Sequence, residues 1–125
     1  YAGGKVHFAR LSTAKAMDMV RNARKKLKVS CDVTVYQALL DDSLLADFDT
    51  NYKVNPPLRE KADSDAIIKA LKDGTIDVLC SGHNPHDEES KELEFDMADF
   101  GMITMQTFGA HLVALSKSIE WETLI

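Results

Sequence analysis

His83 and His86, separated by Asn84 and Pro85, follow directly on a strand-like run and are the residues whose chemistry is easiest to imagine. Imidazoles ligate metals or move protons near neutral pH. Pro85 bends the chain between the two rings, and no third ligand stands nearby at helical or strand spacing, so the pattern favours a turn-stabilising role or a ligand contact over a metal pair. Asn55, ahead of Pro56 and Pro57, carries an amide that can face a ligand or close an Asx turn. Arg10, at the end of a short β run, is a fixed cation that suits either an anion such as a carboxylate or an ion pair with an acid such as Asp32. Cys31 and Cys80 lack CxxC or zinc-finger spacing and are expected to be packed free thiols. Asp87, Glu88 and Glu89 have no basic partner at fixed spacing and are expected to form a solvated stretch. His7 and His111 are expected to be packed or partly exposed.

These residues must be positioned by alternating strands and helices. Val6 to Arg10 is a short β run, after which Ser12 or Thr13 can cap a helix with Met17, Val20, Ala23 and Leu27 inward. Arg21, Arg24, Lys25 and Lys26 form that helix's wet face. From Val29 to Val35 apolar and polar residues alternate strictly, which predicts a strand with Cys31 and Val33 on one face and Ser30, Asp32 and Thr34 on the other. Weak helical character follows over Ala38 to Phe48, and the prolines then enforce an extended stretch over Asp49 to Leu58. Ser64 is expected to cap a helix that Gly74 stops, with a strand over Ile76 to Ser81. The acidic segment Gly82 to Gly101 is longer than ordinary connections and is expected to be functional or mobile. A last helix aligns Met105, Phe108, Leu112 and Leu115. Such alternation predicts parallel strands with helical crossovers, hence an α/β sheet or barrel.

The bulk composition narrows the function classes. With 125 residues, 45% of them apolar, the chain can bury a core but supports only one domain. A net charge of −5, with Lys and Arg scattered rather than striped, argues against nucleic acid or an anionic membrane as partner. No apolar run approaches the ~18 residues of a membrane span, and no signal-peptide pattern opens the chain, so a cytoplasmic protein is expected. The chain opens at Tyr1 without a methionine and stops just after an apolar helical pattern, as a fragment would.

Three segments taken in order, KVNPPLRE from Lys53, LKDGTIDVLCSGHNPH from Leu71 and ESKELEFDMADFG from Glu89, resemble the C-terminal half of a dihydroorotase, a cyclic-amide hydrolase of the amidohydrolase superfamily. The resemblance runs from about Val6 to about Leu115. It implies part of a (β/α)8 TIM-type barrel, with strands five to eight at Val6–Arg10, Val29–Tyr36, near Lys53–Asn55 and Ile76–Ser81, and with flanking helices. A full barrel needs about 250 residues, so residues 1–125 would be its C-terminal half.

The family's zinc site uses histidines ending strands five and six and an aspartate ending strand eight, besides groups on strands one and four. At those three positions this chain carries Arg10, Tyr36 and Gly82. A guanidinium has no lone pair to give, a phenol of pKa ~10 is a poor ligand at neutral pH, and glycine has no carboxylate for metal or for general-base work. The resemblance therefore implies no catalytic residue and no metal or other cofactor held by this chain, although the family uses zinc. Substrate-side positions survive: Asn55 matches an asparagine facing the dihydroorotate ring, His86 matches a histidine on the substrate carboxylate, and Phe100 and Gly101 match the end of the substrate loop. Thr104, Met105 and Gln106 depart from the family's GlyLeuGlu continuation of that loop.

Two functions follow from this resemblance. One is a non-catalytic dihydroorotase-like protein with a structural or regulatory role in pyrimidine biosynthesis, since inactive homologues in the family can act as scaffolds for aspartate transcarbamoylase. The other is an active cyclic amidohydrolase interconverting dihydroorotate and N-carbamoylaspartate, with a rebuilt site completed by a missing N-terminal half. A weaker third reading is an anion-binding module using Arg10, Asn55 and His86. Half a barrel leaves strand edges unpaired, so its partner would be the missing half or a second copy.

Overall fold

A parallel sheet of three strands, ordered β1 (Val6–Phe8), β2 (Val29–Thr34) and β3 (Val78–Cys80), organises the described residues, which are 3–125 of the computed structural model. Register pairs His7 with Ser30, Phe8 with Cys31, Val33 with Leu79 and Thr34 with Cys80. Because strand side chains alternate, one face carries Phe8, Cys31, Val33 and Leu79, and the other carries His7, Ser30, Asp32, Thr34 and Cys80. The first face is the dry one. Helix α1 (Ala14–Ala23) packs Met17 and Val20 on it, and the long helix following the proline segment, α3 (Lys61–Lys72), adds Ile67, Ala70 and Leu71. Leu115 of the helix near the C-terminus and Ile119 in the turn after it close the cluster.

Local chemistry explains most boundaries. Thr13 is the N-cap of α1, its hydroxyl accepting from the Ala16 amide at 3.2 Å. The basic face of α1 is spent on intramolecular contacts: Arg21 meets Asp18 and Asp73, and Arg24 meets Asp77 and the Gly74 carbonyl. Gly74 takes φ +73° at the stop of α3, a left-handed turn that suits glycine.

Several expectations are corrected. The strand from Val29 ends at Thr34, because Val35 opens helix α2 (Val35–Leu39), so Tyr36 sits in a first helical turn rather than on a strand. Lys53–Asn55 is extended but forms no strand among the described residues, and β2 pairs directly with β3. Ser64 does not cap α3. Glu60 holds that position, and Ser64 lies buried inside the helix with its hydroxyl donating to the Lys61 carbonyl at 2.9 Å. Leu27 lies beyond the end of α1 and is 63% exposed. The weak helix expected over Ala38 to Phe48 resolves into α2 and a 3-10 turn at Asp42–Leu45.

The segment Gly82 to Gly101 is neither unstructured nor loosely attached. It contains a short helix, α4 (Glu88–Lys91), whose N-cap Asp87 accepts from the Ser90 amide at 2.8 Å. Asp87 to Glu89 are exposed, as expected of a solvated stretch, but they start a helix rather than a loop. The last helices are α5 (Phe108–Ser116) and α6 (Trp121–Leu124); Met105 precedes α5 and is exposed.

Candidate functional site

The carboxyl ends of the parallel strands bring Arg10, Tyr36 and Gly82 together, at the edge where open α/β sheets place ligands. Arg10 follows β1 with φ +53°, a conformation that costs an ordinary side chain about 1–2 kcal/mol. Asp32 holds it there, accepting from the Arg10 amide at 2.8 Å through Oδ1. The same carboxylate accepts from His7 Nε2 at 2.8 Å through Oδ2, while His7 Nδ1 lies 2.7 Å from the Ser30 hydroxyl. An ion pair between the Arg10 guanidinium and Asp32 is therefore not formed, because His7 and a backbone amide have taken that carboxylate. Burial alone would raise the Asp32 carboxyl, but the His7, Arg10 and Cys80 hydrogen bonds outweigh it and hold it below the usual range.

The Arg10 guanidinium points instead to the Asn55 carbonyl, 3.5 Å from Nη1. Asn55 itself is exposed, and among the described residues its side chain forms no hydrogen bond, so the Asx turn is absent. The proline segment is held from behind by Gln37, which donates to the Pro56 and Pro57 carbonyls at 2.9 and 3.0 Å. The Asn55–Pro56 bond is cis.

Tyr36 is 3% exposed and packs with Val54 and Leu58. Burial pushes its phenol above the ordinary value, so it is un-ionised at neutral pH. Its ring stands where a side chain at position 82 would begin. A Cβ on Gly82 would lie 2.5 Å from Tyr36 Cε1, 2.7 Å from Thr34 Cγ2 and 2.9 Å from Thr34 Cβ, and Gly82 has φ +66°. Tyr36 and Gly82 are thus mutually dependent: the ring fits because position 82 has no side chain.

Across the mouth, the residues of the acidic segment are tied to one another. Asn84 Nδ2 and His86 Nε2 donate to the Phe100 carbonyl at 2.8 and 3.1 Å, and His86 Nδ1 lies 3.4 Å from Asp99. A Cβ on Gly101 would strike the Asn84 carbonyl and the His86 ring, so only glycine permits that approach. His83 Nδ1 accepts from the Thr104 and Met105 amides, both at 3.1 Å, which uses the lone pair a metal would need on that nitrogen. Lys53 is the anchor of the assembly. Only 7% exposed, it donates to the Asp96 and Ala98 carbonyls at 3.0 and 2.5 Å, and its ammonium lies 4.5 Å from the Phe100 ring centroid. Lys91 adds bonds to the Asp99 and Gly101 carbonyls at 2.9 and 3.0 Å.

The residues singled out from the sequence therefore fall into two groups. Arg10, Tyr36, Gly82 and Asn55 meet at the strand ends. His86 and Gly101 line a cleft of about 710 Å³ with Asn84, Phe48 and α4, and neither Arg10 nor Asn55 lines it. Lys53, Gln37 and the His7–Asp32 pair were not singled out. Both Lys53 and Gln37 act through partners distant in the chain, Asp96 and Ala98 for the one and Pro56 and Pro57 for the other, so nothing local marks them.

A zinc ion does not fit these residues. Arg10 brings charge without a lone pair, Tyr36 is a buried un-ionised phenol, and its ring fills the space a carboxylate at position 82 would need. Among the described residues no three His, Cys, Asp or Glu side chains converge as ligands.

Sequence comparison finds proteins named dihydroorotase. The one from Acetivibrio thermocellus is 41% identical over 108 residues, covering 86% of this chain and 25% of its own length. That of Carboxydothermus hydrogenoformans is 42% identical over 127 residues, covering 98% of this chain and 30% of its own. The chain thus spans about a quarter of the length of the curated relatives it matches. No family model matches. Among solved structures, the L-hydantoinase (dihydropyrimidinase) of Arthrobacter aurescens superposes with TM-score 0.89 over 98% of this chain and 29% of its own, at 21% identity, a likeness of fold. The D-hydantoinase of Bacillus sp. AR9 gives TM-score 0.77 at 29% identity over 82% of this chain and 24% of its own.

Proposed function

The chain belongs to the dihydroorotase family of the amidohydrolase superfamily, and from that premise we propose that it is a non-catalytic dihydroorotase-like protein with a structural or regulatory role in pyrimidine biosynthesis. The observation that carries this reading is the contact between Tyr36 and Gly82. Ring and glycine together occupy the mouth so that neither metal ligand nor general base can stand there without displacing Thr34 as well. Losing a general base alone costs ~10²–10⁴ in rate, and losing metal-activated water costs more.

On this reading residues 1–125 are the C-terminal half of a barrel. The segments at Val6–Phe8, Val29–Thr34 and Val78–Cys80 stand for three of its parallel strands. The free edges of β1 and β3, with Val6, Phe8 and Val78 each more than 40% exposed, support association with the missing half or a second copy. Aspartate transcarbamoylase is a further candidate partner, in the cytoplasm; no helix among the described residues is long and apolar enough to cross a membrane.

Metal analysis and a dihydroorotate hydrolysis assay test the proposal together. The purified protein should retain no stoichiometric zinc after dialysis and show no turnover above the uncatalysed rate with zinc added. Zinc-dependent hydrolysis at a rate near that of active family members would overturn it and establish the rebuilt active site instead.

A further inference from the structure

We propose that Ser30, His7 and Asp32 form a nucleophile, its general base and the carboxylate that orients the base, together accepting acyl groups from small esters with good leaving groups. The proposal does not rest on the closed mouth at the strand ends.

The three side chains share the polar face of the sheet, away from the helices that cover the other face. Register places His7 opposite Ser30, and alternation puts Asp32 two residues further along the same face. The bonds run in order. The Ser30 hydroxyl lies 2.7 Å from His7 Nδ1, and His7 Nε2 lies 2.8 Å from Asp32 Oδ2. An ionised carboxylate only accepts, so Nε2 carries the proton of the neutral ring and Nδ1 keeps its lone pair for the serine proton. Asp32 is itself fixed, because its other oxygen accepts from the Arg10 amide at 2.8 Å. A hydroxyl on a base that a third group orients is the signature of an activated nucleophile. The His7 side chain is 44% exposed and Ser30 partly so, which lets a small ester reach the hydroxyl. Cys80 shares the Asp32 carboxylate, but burial and that charge keep its thiol protonated, which leaves Ser30 as the nucleophile.

In the first step Ser30 Oγ bonds to the carbonyl carbon as its proton passes to His7 Nδ1. The bond from that carbon to the leaving oxygen then breaks, and the leaving group departs with the proton from Nδ1. Water adds to the resulting serine ester, passing a proton to Nδ1, and the Ser30 oxygen recovers that proton as the acid is released. The ester class follows from the Cys31 amide, which comes next after the nucleophile and would suit a developing oxyanion, yet donates to Asp77 at 2.7 Å. One such donor is worth ~10²–10³ in rate, so an aryl ester, whose phenolate leaves readily, is the fitting substrate, not an alkyl ester or an amide.

A fluorophosphonate and 4-nitrophenyl acetate, applied to the purified protein, test the site. Peptide mass analysis should place the phosphonyl and acetyl groups on Ser30, with a stoichiometric burst of nitrophenolate, and the chain unfolded in urea should take up neither. Ser43, whose hydroxyl meets the Asp41 carboxylate with no imidazole between them, is the internal control and should stay unmodified. Ser30→Ala should abolish label and burst, and His7→Ala should slow labelling by about 10²-fold. Asp32→Asn should slow it at least about tenfold, with Asp32→Glu restoring much of the loss, as a positioning role requires. Circular dichroism matching that of the parent shows that each variant is folded, and the labelling of the parent depends on no variant. Modification absent from Ser30, spread alike over Ser43 and Ser30, unaffected by urea, or equally fast in folded His7→Ala overturns the proposal.

Discussion

The strand ends and the acidic segment above them meet at one mouth but are built in opposite ways. At the strand ends, beside Arg10, Tyr36 and Gly82 interlock by shape, ring against glycine. In the segment from His83 to Gly101, polar side chains are bound to backbone, His83 to two amides and His86 and Asn84 to the Phe100 carbonyl, while Lys53 reaches in from the proline segment to two carbonyls. The difference teaches that polar side chains at one mouth can be committed to holding the chain while its apolar contacts decide what space is left. A histidine whose lone pair fastens a chain turn, as His83 does, has that nitrogen spent on structure.

The contrast breaks most visibly at Gly82. An aspartate tolerates a left-handed φ, so the backbone is not the obstacle; the obstacle is a Cβ 2.5 Å from the Tyr36 ring and under 3 Å from Thr34. Gly82→Asp should therefore cost about 3 kcal/mol in urea unfolding, at the upper end of overpacking penalties. Tyr36→Ala opens space at the same point, so the double variant should lose less than the sum of the two single losses, with a coupling of about 1–3 kcal/mol. Additive losses would mean that ring and glycine are not interdependent and that the mouth is not closed by their contact.

The other side of the comparison is sharpened by Lys53→Met. The replacement keeps the apolar stem but leaves the Asp96 and Ala98 carbonyls without their donor, at a cost of about 2 kcal/mol. Hydrogen exchange over residues 92–101 should accelerate while that of β2 and α3 stays unchanged; uniform acceleration would show that the segment is not separately fastened. His83→Ala should cost about 1 kcal/mol by freeing the Thr104 and Met105 amides, with the exchange change confined to the turn before α5.

How far the sequence discloses all this depends on whether a residue's neighbours are local. The alternation Val29 to Thr34 and the apolar spacing Met17, Val20 each carry their own periodicity, and the sheet and α1 follow from them. Position 64 misleads because serine is as much at home bonding a carbonyl one turn back as capping, and only the path of the proline segment decides which. Only the resemblance makes Lys53–Asn55 a strand, yet β2 pairs with β3. At the mouth, the residue types of Arg10, Tyr36 and Gly82 were plain, but the ring-on-glycine contact joins positions 46 apart in the chain and has no local signature. The partner of Asp32 was legible as a cation and wrong in identity, since His7 on the adjoining strand reaches it in register.

That Asp32 network yields a modest pH effect. Its carboxyl is lowered, so the stability it contributes is complete above the unfolded value near ~3.9 and is lost as pH falls through the folded one. Asp32→Asn should flatten the acid limb of a stability profile below that value and leave the limb above neutrality unchanged. A profile that keeps its acid slope in the variant would place the linkage on another carboxylate.

Cys80 offers the smallest effect, one that touches reactivity and not stability. Burial and then the Asp32 charge raise its thiol to about 11, and Sγ contacts Asp32 Oδ1 at 3.6 Å and the Val33 carbonyl at 3.2 Å. At pH 8 its thiolate fraction should be on the order of a hundredfold below that of an unperturbed cysteine, and iodoacetamide labelling correspondingly slow. Raising the pH toward the thiol's own value should speed labelling steadily, with no plateau near 9. Asp32→Asn removes one of the two causes, so labelling at pH 8 should quicken severalfold relative to the parent chain. If the parent already labels at the rate of a free thiol, the polar face of the sheet is wetter than its hydrogen bonds imply, and the fixed frame behind Arg10 would be looser than the geometry at the strand ends requires.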